Sequence, residues 1–252
     1  MSTVAVTQVP VDDGRSASRW VLPAIVVLLV AGTAAYVSVA DLDSIEARAL
    51  EPSNLLEKLW EHVRLVLVST VAVIAIGAPL GIALSRRWAR FVRPPILLVA
   101  NAGQAIPSVG ILVLLAIAVG VGFKMAVVAL VLYALLPILR NTLVGLQQVD
   151  PFVVDAARGM GMGPLRVLWT VELPLAVPVM LAGIRVALIL NVGVATLATY
   201  TNAGGLGDLI EGGIATYRMP ILSVGCVLTI ALALLVDWLA GIAERTLSPK
   251  GI

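Results

Sequence analysis

The sequence predicts an all-α polytopic membrane protein, a bundle of about six spanning helices. Three observations carry this expectation. Of 252 residues, 60% are hydrophobic and 13% charged, with a mean hydropathy of +1.04. A soluble domain is nearer ~25% charged, so this chain cannot coat a water-facing globule. The apolar residues gather into six long runs separated by more polar stretches, and Lys and Arg are unevenly shared among those stretches, as in chains that cross a bilayer. Composition thus excludes a soluble enzyme, a disordered chain and a fibrous repeat. The length suits one membrane domain, with no room for an ordinary nucleotide-hydrolysing domain.

Residues 1–20 read as a polar cytoplasmic tail. Residues 21–40 carry no charge, and twenty helical residues rise about 30 Å, one hydrocarbon thickness. This run is longer than a signal-peptide core and more spans follow, so it is expected to be a retained first span. Six acids then punctuate 41–62: Asp41, Asp43, Glu46, Glu51, Glu57 and Glu61. Asn54, with Glu57 three residues on, offers a capping box. Leu55, Leu56, Leu59, Trp60 and Val63 recur at helical spacing, which suits an amphipathic helix on the outer surface turning into a second span, 63–84.

A basic loop follows, with Arg86, Arg87, Arg90 and Arg93 before Pro94 and Pro95. Residues 94–123 hold no charge and contain the third span, 96–119. Gly120, Gly122 and Lys124 make a tight turn into the fourth span, 125–146. The fifth span is expected at 175–200 and the sixth at 219–241, with a Gly-rich segment, 201–218, between them. In that segment a re-entrant gate and a plain surface turn are both open. Residues 246–252 form a second cytoplasmic tail. With the N-terminus inside, 12 of the 17 Lys and Arg lie on the cytoplasmic side, so both termini are expected there. Trp20, Trp60, Trp88, Trp169 and Trp238 fall near span ends, where the indole suits the headgroup layer.

Little in the sequence supports metal or thiol chemistry. There is one cysteine and one histidine, too few for a zinc or haem site. Cys226 reads as a small apolar filler and His62 as a polar surface residue. No metal ligand set, catalytic group or nucleic-acid patch is expected.

The most informative stretch is 150–174, DPFVVDAARGMGMGPLRVLWTVELP. Asp155, Ala156 and Ala157 open a short helix. Gly159, Gly161 and Gly163 permit tight turns, and Pro164 can start a second helix. Leu165, Leu168, Trp169 and Leu173 add an apolar stripe. The expected product is a helix–turn–helix shelf, too apolar to stand free in water and too charged for lipid, which a partner protein would cover.

Here the chain resembles the permease subunits of bacterial ATP-binding cassette importers. Their loop signature is Glu-Ala-Ala, three residues, Gly, nine residues, Ile, one residue, Leu-Pro. This sequence has Asp155-Ala156-Ala157, Gly161, Val171 and Leu173-Pro174 at the same spacing, with Asp for Glu and Val for Ile. The resemblance implies a type I importer permease (MetI-like) fold over 63–245, with 150–174 as its coupling helix. It also implies docking on a separate ATPase through Asp155, Ala156, Ala157, Arg158, Gly159, Gly161, Leu173 and Pro174. ATP and Mg would be used by that partner, and no cofactor would be bound by this chain. A second permease copy or close homologue, an extracytoplasmic solute-binding protein and the lipid bilayer complete the implied partners. VELPLAVPVMLAGIRVAL, VGVATLATY and AGGLGDLIEGG further resemble the osmoprotectant branch, which imports glycine betaine, choline and carnitine. Methionine or ergothioneine import is the alternative within the class.

Polar residues within the spans are pathway candidates: Asn101, Gln104 and Ser108 on one face of the third span, and Asn191, Thr196 and Tyr200 in the fifth. Each could line a pathway or only hydrogen-bond between helices. Arg140 and Arg185 could snorkel or gate, and Asp237 is expected to pair with an Arg. The other classes fare worse. A self-sufficient secondary transporter would show inverted repeats and central acids. A membrane enzyme would group catalytic residues within its spans. The sequence also lacks a GxxxxGK[ST] phosphate loop, so driving energy must come from another chain.

Overall fold

The computed structural model describes residues 18–247; most of both expected tails, 1–20 and 246–252, lies outside that range. The first span is α1, Ser18–Val39. A short helix α2, Ser44–Ala49, follows, and its capping box is formed by Asp43 and Glu46. Asn54 does not cap. Pro52 sits at the first turn of α3, Pro52–Ser85, because a residue without an N–H and with fixed φ is suited to that position. Asn54 is therefore already inside the helix, and its amide donates to Ala49 O at 2.6 Å. The expected surface helix and second span are thus one helix of 34 residues.

The third span is broken. α4, Arg93–Ala105, and α5, Ser108–Val119, meet at 98°. Pro107 has no N–H to donate and pushes Ile106 into extended backbone (φ −72°, ψ 133°), so the helix cannot continue. Asn101 and Gln104 therefore lie on one arm and Ser108 on the other, not on one shared face.

Next come α6, Phe123–Gln147, then α7, Pro151–Gly159, and α8, Pro164–Val167. A wide π turn, Leu168–Glu172, joins α8 to α9, Leu173–Ala195. Pro174 cannot donate to the carbonyl four residues back, and a local widening accommodates that loss. A 3-10 segment, Thr196–Thr201, extends the same rod. After α10, Gly207–Ala215, the described residues end with α11, Met219–Leu247. Five helices are long and apolar enough to cross a membrane, or six spans if the bent pair counts as one.

The core is a sandwich of α3, α6 and α9, with α6 in the middle. α4 and α5 fold onto α6, α11 packs on α9 and α10, and α1 lies outermost against α11. Lipid tails are as apolar as leucine, so close packing must hold such helices together. Glycines permit it. A Cβ on Gly81 of α3 would stand 2.7 Å from Thr142 Cβ, and one on Gly183 of α9 would stand 2.9 Å from Pro137 O.

Ion pairs tie the helices to one another. Arg185 on α9 chelates Asp237 on α11, with Nη2 2.9 Å from Oδ2, the pairing expected for that acid. On the opposite side Lys58 bridges Glu61 and Asp208 at 3.0 and 2.8 Å. Arg218 pairs with Asp43, and this hydrogen bond holds the Asp43 carboxyl below its usual range. His62 is not on the surface: it is fully buried, with Nε2 3.1 Å from Val192 O. α3 begins earlier than expected, and the Gly-rich segment folds over it, with a Gly205 Cβ falling 3.1 Å from His62 Nδ1. That segment is ordered as α10 rather than a plain turn.

One pair of glycines tests the packing. In α10, a Cβ on Gly207 would fall 1.9 Å from Thr196 O, whereas Gly212 faces open space. Gly207→Ala should destabilise the bundle by about 1–3 kcal/mol. Gly212→Ala should be neutral or gain up to about 1 kcal/mol. Thermal unfolding of the two purified variants, followed by tryptophan emission, is the measurement; equal melting temperatures would contradict the packing.

Candidate functional site

The stretch 150–174 builds a folded shelf at the end of the bundle where α3 and α6 finish. Asp150 caps α7 by accepting from Phe152 N at 2.9 Å, and Pro151 occupies its first turn. The helix stops at Gly159. Gly161 takes φ +83°, a left-handed conformation that a side chain resists. Its N–H donates to Arg158 O at 2.9 Å, and Met162 N–H to Ala157 O at 3.2 Å, so the turn closes the helix end. Pro164 then starts α8. Ala157 and Val167 are buried, and these two contacts seat the shelf on the bundle.

Most other residues between Pro151 and Thr170 are exposed. Phe152 is 84% exposed and Trp169 67%, with Met160 and Leu165 similarly bare. Asp155 and Arg158 are exposed neighbours, 3.6 Å apart, and Ala156 lies between them. Cβ atoms built on Gly159, Gly161 and Gly163 would touch nothing within 4 Å. Leu173 and Pro174 are half-buried at the start of α9, below the exposed patch. The arrangement offers apolar side chains, one ion pair and bare backbone to whatever docks there.

One residue at the root of the shelf escaped the sequence reading. Glu172 is buried, and Arg86 Nη2 stands 2.6 Å from its Oε2. The pair bolts the root of the shelf to the end of α3. The only signal in the sequence was an acid inside an otherwise apolar run.

The pathway candidates divide. Asn191 is fully buried, and its Nδ2 donates to Ser69 Oγ and Thr70 Oγ1 at 3.0 and 3.1 Å. It therefore lies between α9 and α3. Gln104 is half-buried and donates to Tyr133 O at 3.1 Å. Asn101 is exposed, with its amide on Leu97 O. Ser108 starts α5, which packs beside the 3-10 segment carrying Thr196 and Tyr200. Thr196 bonds Gly193 O, and Tyr200 is 54% exposed. Between the bent pair and α6 lies a cavity of about 560 Å³ whose lining, including Leu80, Ile96, Leu115 and Leu132, is apolar. Among the described residues no group of three or more His, Cys, Asp or Glu could hold a metal.

The fold and the site define a helical membrane protein with a structured, exposed shelf at one end. The chain belongs to the family of binding-protein-dependent transport system inner membrane components, whose model matches residues 77–249. It is thus a permease subunit of the ATP-binding cassette importer class rather than an enzyme. A carnitine transport permease of Listeria monocytogenes is 40% identical over 79% of this chain and 90% of its own. A choline transport system permease of Bacillus subtilis is 38% identical over 79% and 91%. Among solved structures, a chain of an inward-facing methionine ABC transporter superposes with a TM-score of 0.70 at 25% identity. That match covers 77% of this chain and 96% of the other.

The Arg86–Glu172 pair is open to a double-mutant cycle. A hydrogen bond between charged partners contributes about 1.5–3 kcal/mol, less here because Arg86 is partly exposed. Glu172→Gln or Arg86→Gln alone should each cost about 1–2 kcal/mol, and the double variant less than their sum. Strict additivity in thermal unfolding would mean that the two side chains do not interact.

Proposed function

We propose that this chain is the membrane-spanning subunit of an ATP-driven importer of a quaternary ammonium osmoprotectant: glycine betaine, choline or carnitine. The exposed shelf at 150–174 carries the reading. It presents a large apolar surface that neither water nor lipid suits, on a chain without a phosphate loop of its own. A cytoplasmic ATPase covers it, holding ATP and Mg, and Asp155, Ala156, Ala157, Arg158, Gly159 and Gly161 form the contact, with Leu173 and Pro174 behind it. The Lys and Arg bias supports a cytoplasmic position for the shelf and both termini at the plasma membrane. A solute-binding protein delivers solute to the other side.

A second copy, or a close homologue, completes the pathway by packing against the bent pair and its apolar cavity. Within the pathway, Asn101, Ser108, Thr196 and Tyr200 meet the solute, with Gln104 beside them, while Asn191 fixes α9 against α3 at the bundle's middle. The solute class is supported by the carnitine and choline relatives, which resemble this chain more than the methionine transporter does.

Docking is tested by bulk. Gly161→Trp places an indole where the backbone is bare and forces a side chain into a left-handed turn. Recovery of the co-expressed ATPase with the tagged permease should fall at least tenfold, while the bundle still elutes as a folded species in detergent. Normal ATPase recovery together with normal choline uptake would refute the docking assignment.

Placement of the pathway is tested by labelling. A single cysteine at position 200 should react with a small polar thiol reagent in membranes, and solute should slow that reaction. A cysteine at 191 should stay unreactive, and Asn191→Leu should lower the melting temperature, since Ser69 and Thr70 lose a shared donor. Equal reactivity at 191 and 200 would place Asn191 on the pathway instead.

A further inference from the structure

We propose that the turn between α3 and α4 is a binding site for anionic phospholipid headgroups, formed by Arg87 and Arg90 with Trp88 and Phe91 as apolar anchors. The reasoning starts with a charge asymmetry: from His62 to Val149 the sequence contains no Asp or Glu. Within that acid-free stretch four arginines crowd the eight residues 86–93. Two are used internally. Arg86 is paired with Glu172, and Arg93 Nε donates to Leu84 O at 2.8 Å. Arg87 and Arg90 are exposed and have no ion pair among the described residues.

The turn's geometry keeps them outward. Arg87–Arg90 is a 3-10 turn, and Ala89 is its buried residue, packed with Leu84, Leu139 and Leu143. With Ala89 pinned inward, its neighbours on both sides face away from the bundle. Trp88 is 70% exposed and Phe91 81%, while Arg90 lies over the Phe91 ring at 5.2 Å. The turn begins where the apolar length of α3 ends, at Ser85, so it stands at headgroup level. Aromatic rings alternating with free guanidinium groups at that depth match an anionic lipid on both counts. The rings enter the acyl boundary and the guanidinium groups take phosphate oxygens of a charged leaflet. A soluble acidic partner would use the charges but leave the rings unexplained.

Trp88 is itself the probe. In a chain whose other four tryptophans are replaced by Phe, assembled with its ATPase in nanodiscs of equal phosphatidylglycerol and phosphatidylcholine, one lipid class at a time carries bromine. Brominated phosphatidylglycerol should quench Trp88 at least twofold more than brominated phosphatidylcholine, and Arg87→Gln/Arg90→Gln should equalise them. Should that variant fail to fold, the unsubstituted arginines still give a test: the preference should shrink as salt rises from about 0.05 to about 0.5 M, because exposed charges are screened. Equal quenching by the two lipids at low salt overturns the proposal. So does a preference that ignores salt and the two arginines. Quenching by neither lipid would show that a protein surface covers the turn, which also overturns it. Both leaflets of a nanodisc share one composition, so the result does not depend on the orientation proposed above.

Discussion

Close approach of backbones along α6 is the constraint on which the rest of the bundle depends. Water drives no helix together inside hydrocarbon, so contact surface between helices has to be gained by proximity. Gly81 of α3 and Gly183 of α9 bring two neighbours within van der Waals reach of α6 from either side, and Gly145 of α6 does the same toward Ala176. Once α3, α6 and α9 are set, the remaining elements have defined seats. α4 and α5 take the flank of α6, and α11 takes that of α9.

Charge and polarity follow depth. Most ionic contacts lie toward the two ends, with Arg86–Glu172 at one and Lys58–Asp208 and Arg218–Asp43 at the other, while Arg185–Asp237 is set in from the first. Between them the notable polar link is neutral, Asn191 with Ser69 and Thr70. That order is physically sensible. A charge is costly to bury in hydrocarbon, whereas an amide between two hydroxyls needs no counter-ion.

Much of this was legible in the sequence, and the reasons for the misses are local. The spans and the shelf were readable because hydropathy and the Gly and Pro spacing are properties of neighbours in sequence. The break at Ile106–Pro107 was only half legible: Pro107 announced a weakened helix, but a 98° bend depends on what each arm packs against. His62 was misplaced because its burial comes from Gly205 folding over it and from Val192 of α9, both far away in sequence. Glu172 could be seen as an odd acid, yet its partner Arg86 is 86 residues away, and nothing local names it. Among the pathway candidates, the sequence could place each residue on its helix. It could not say which side of α9 would meet α3.

The rod that starts in the shelf has a mechanical property. Pro164–Thr201 runs for 38 residues without a loop, about 57 Å at 1.5 Å per residue. Gly183, where this rod presses on Pro137 and Asn141 of α6, stands close to its midpoint. Trp169 on the shelf and Tyr200 at the far end are therefore parts of one helical rod with no loop between them, so the two ends of the bundle are joined by backbone hydrogen bonds as well as by packing.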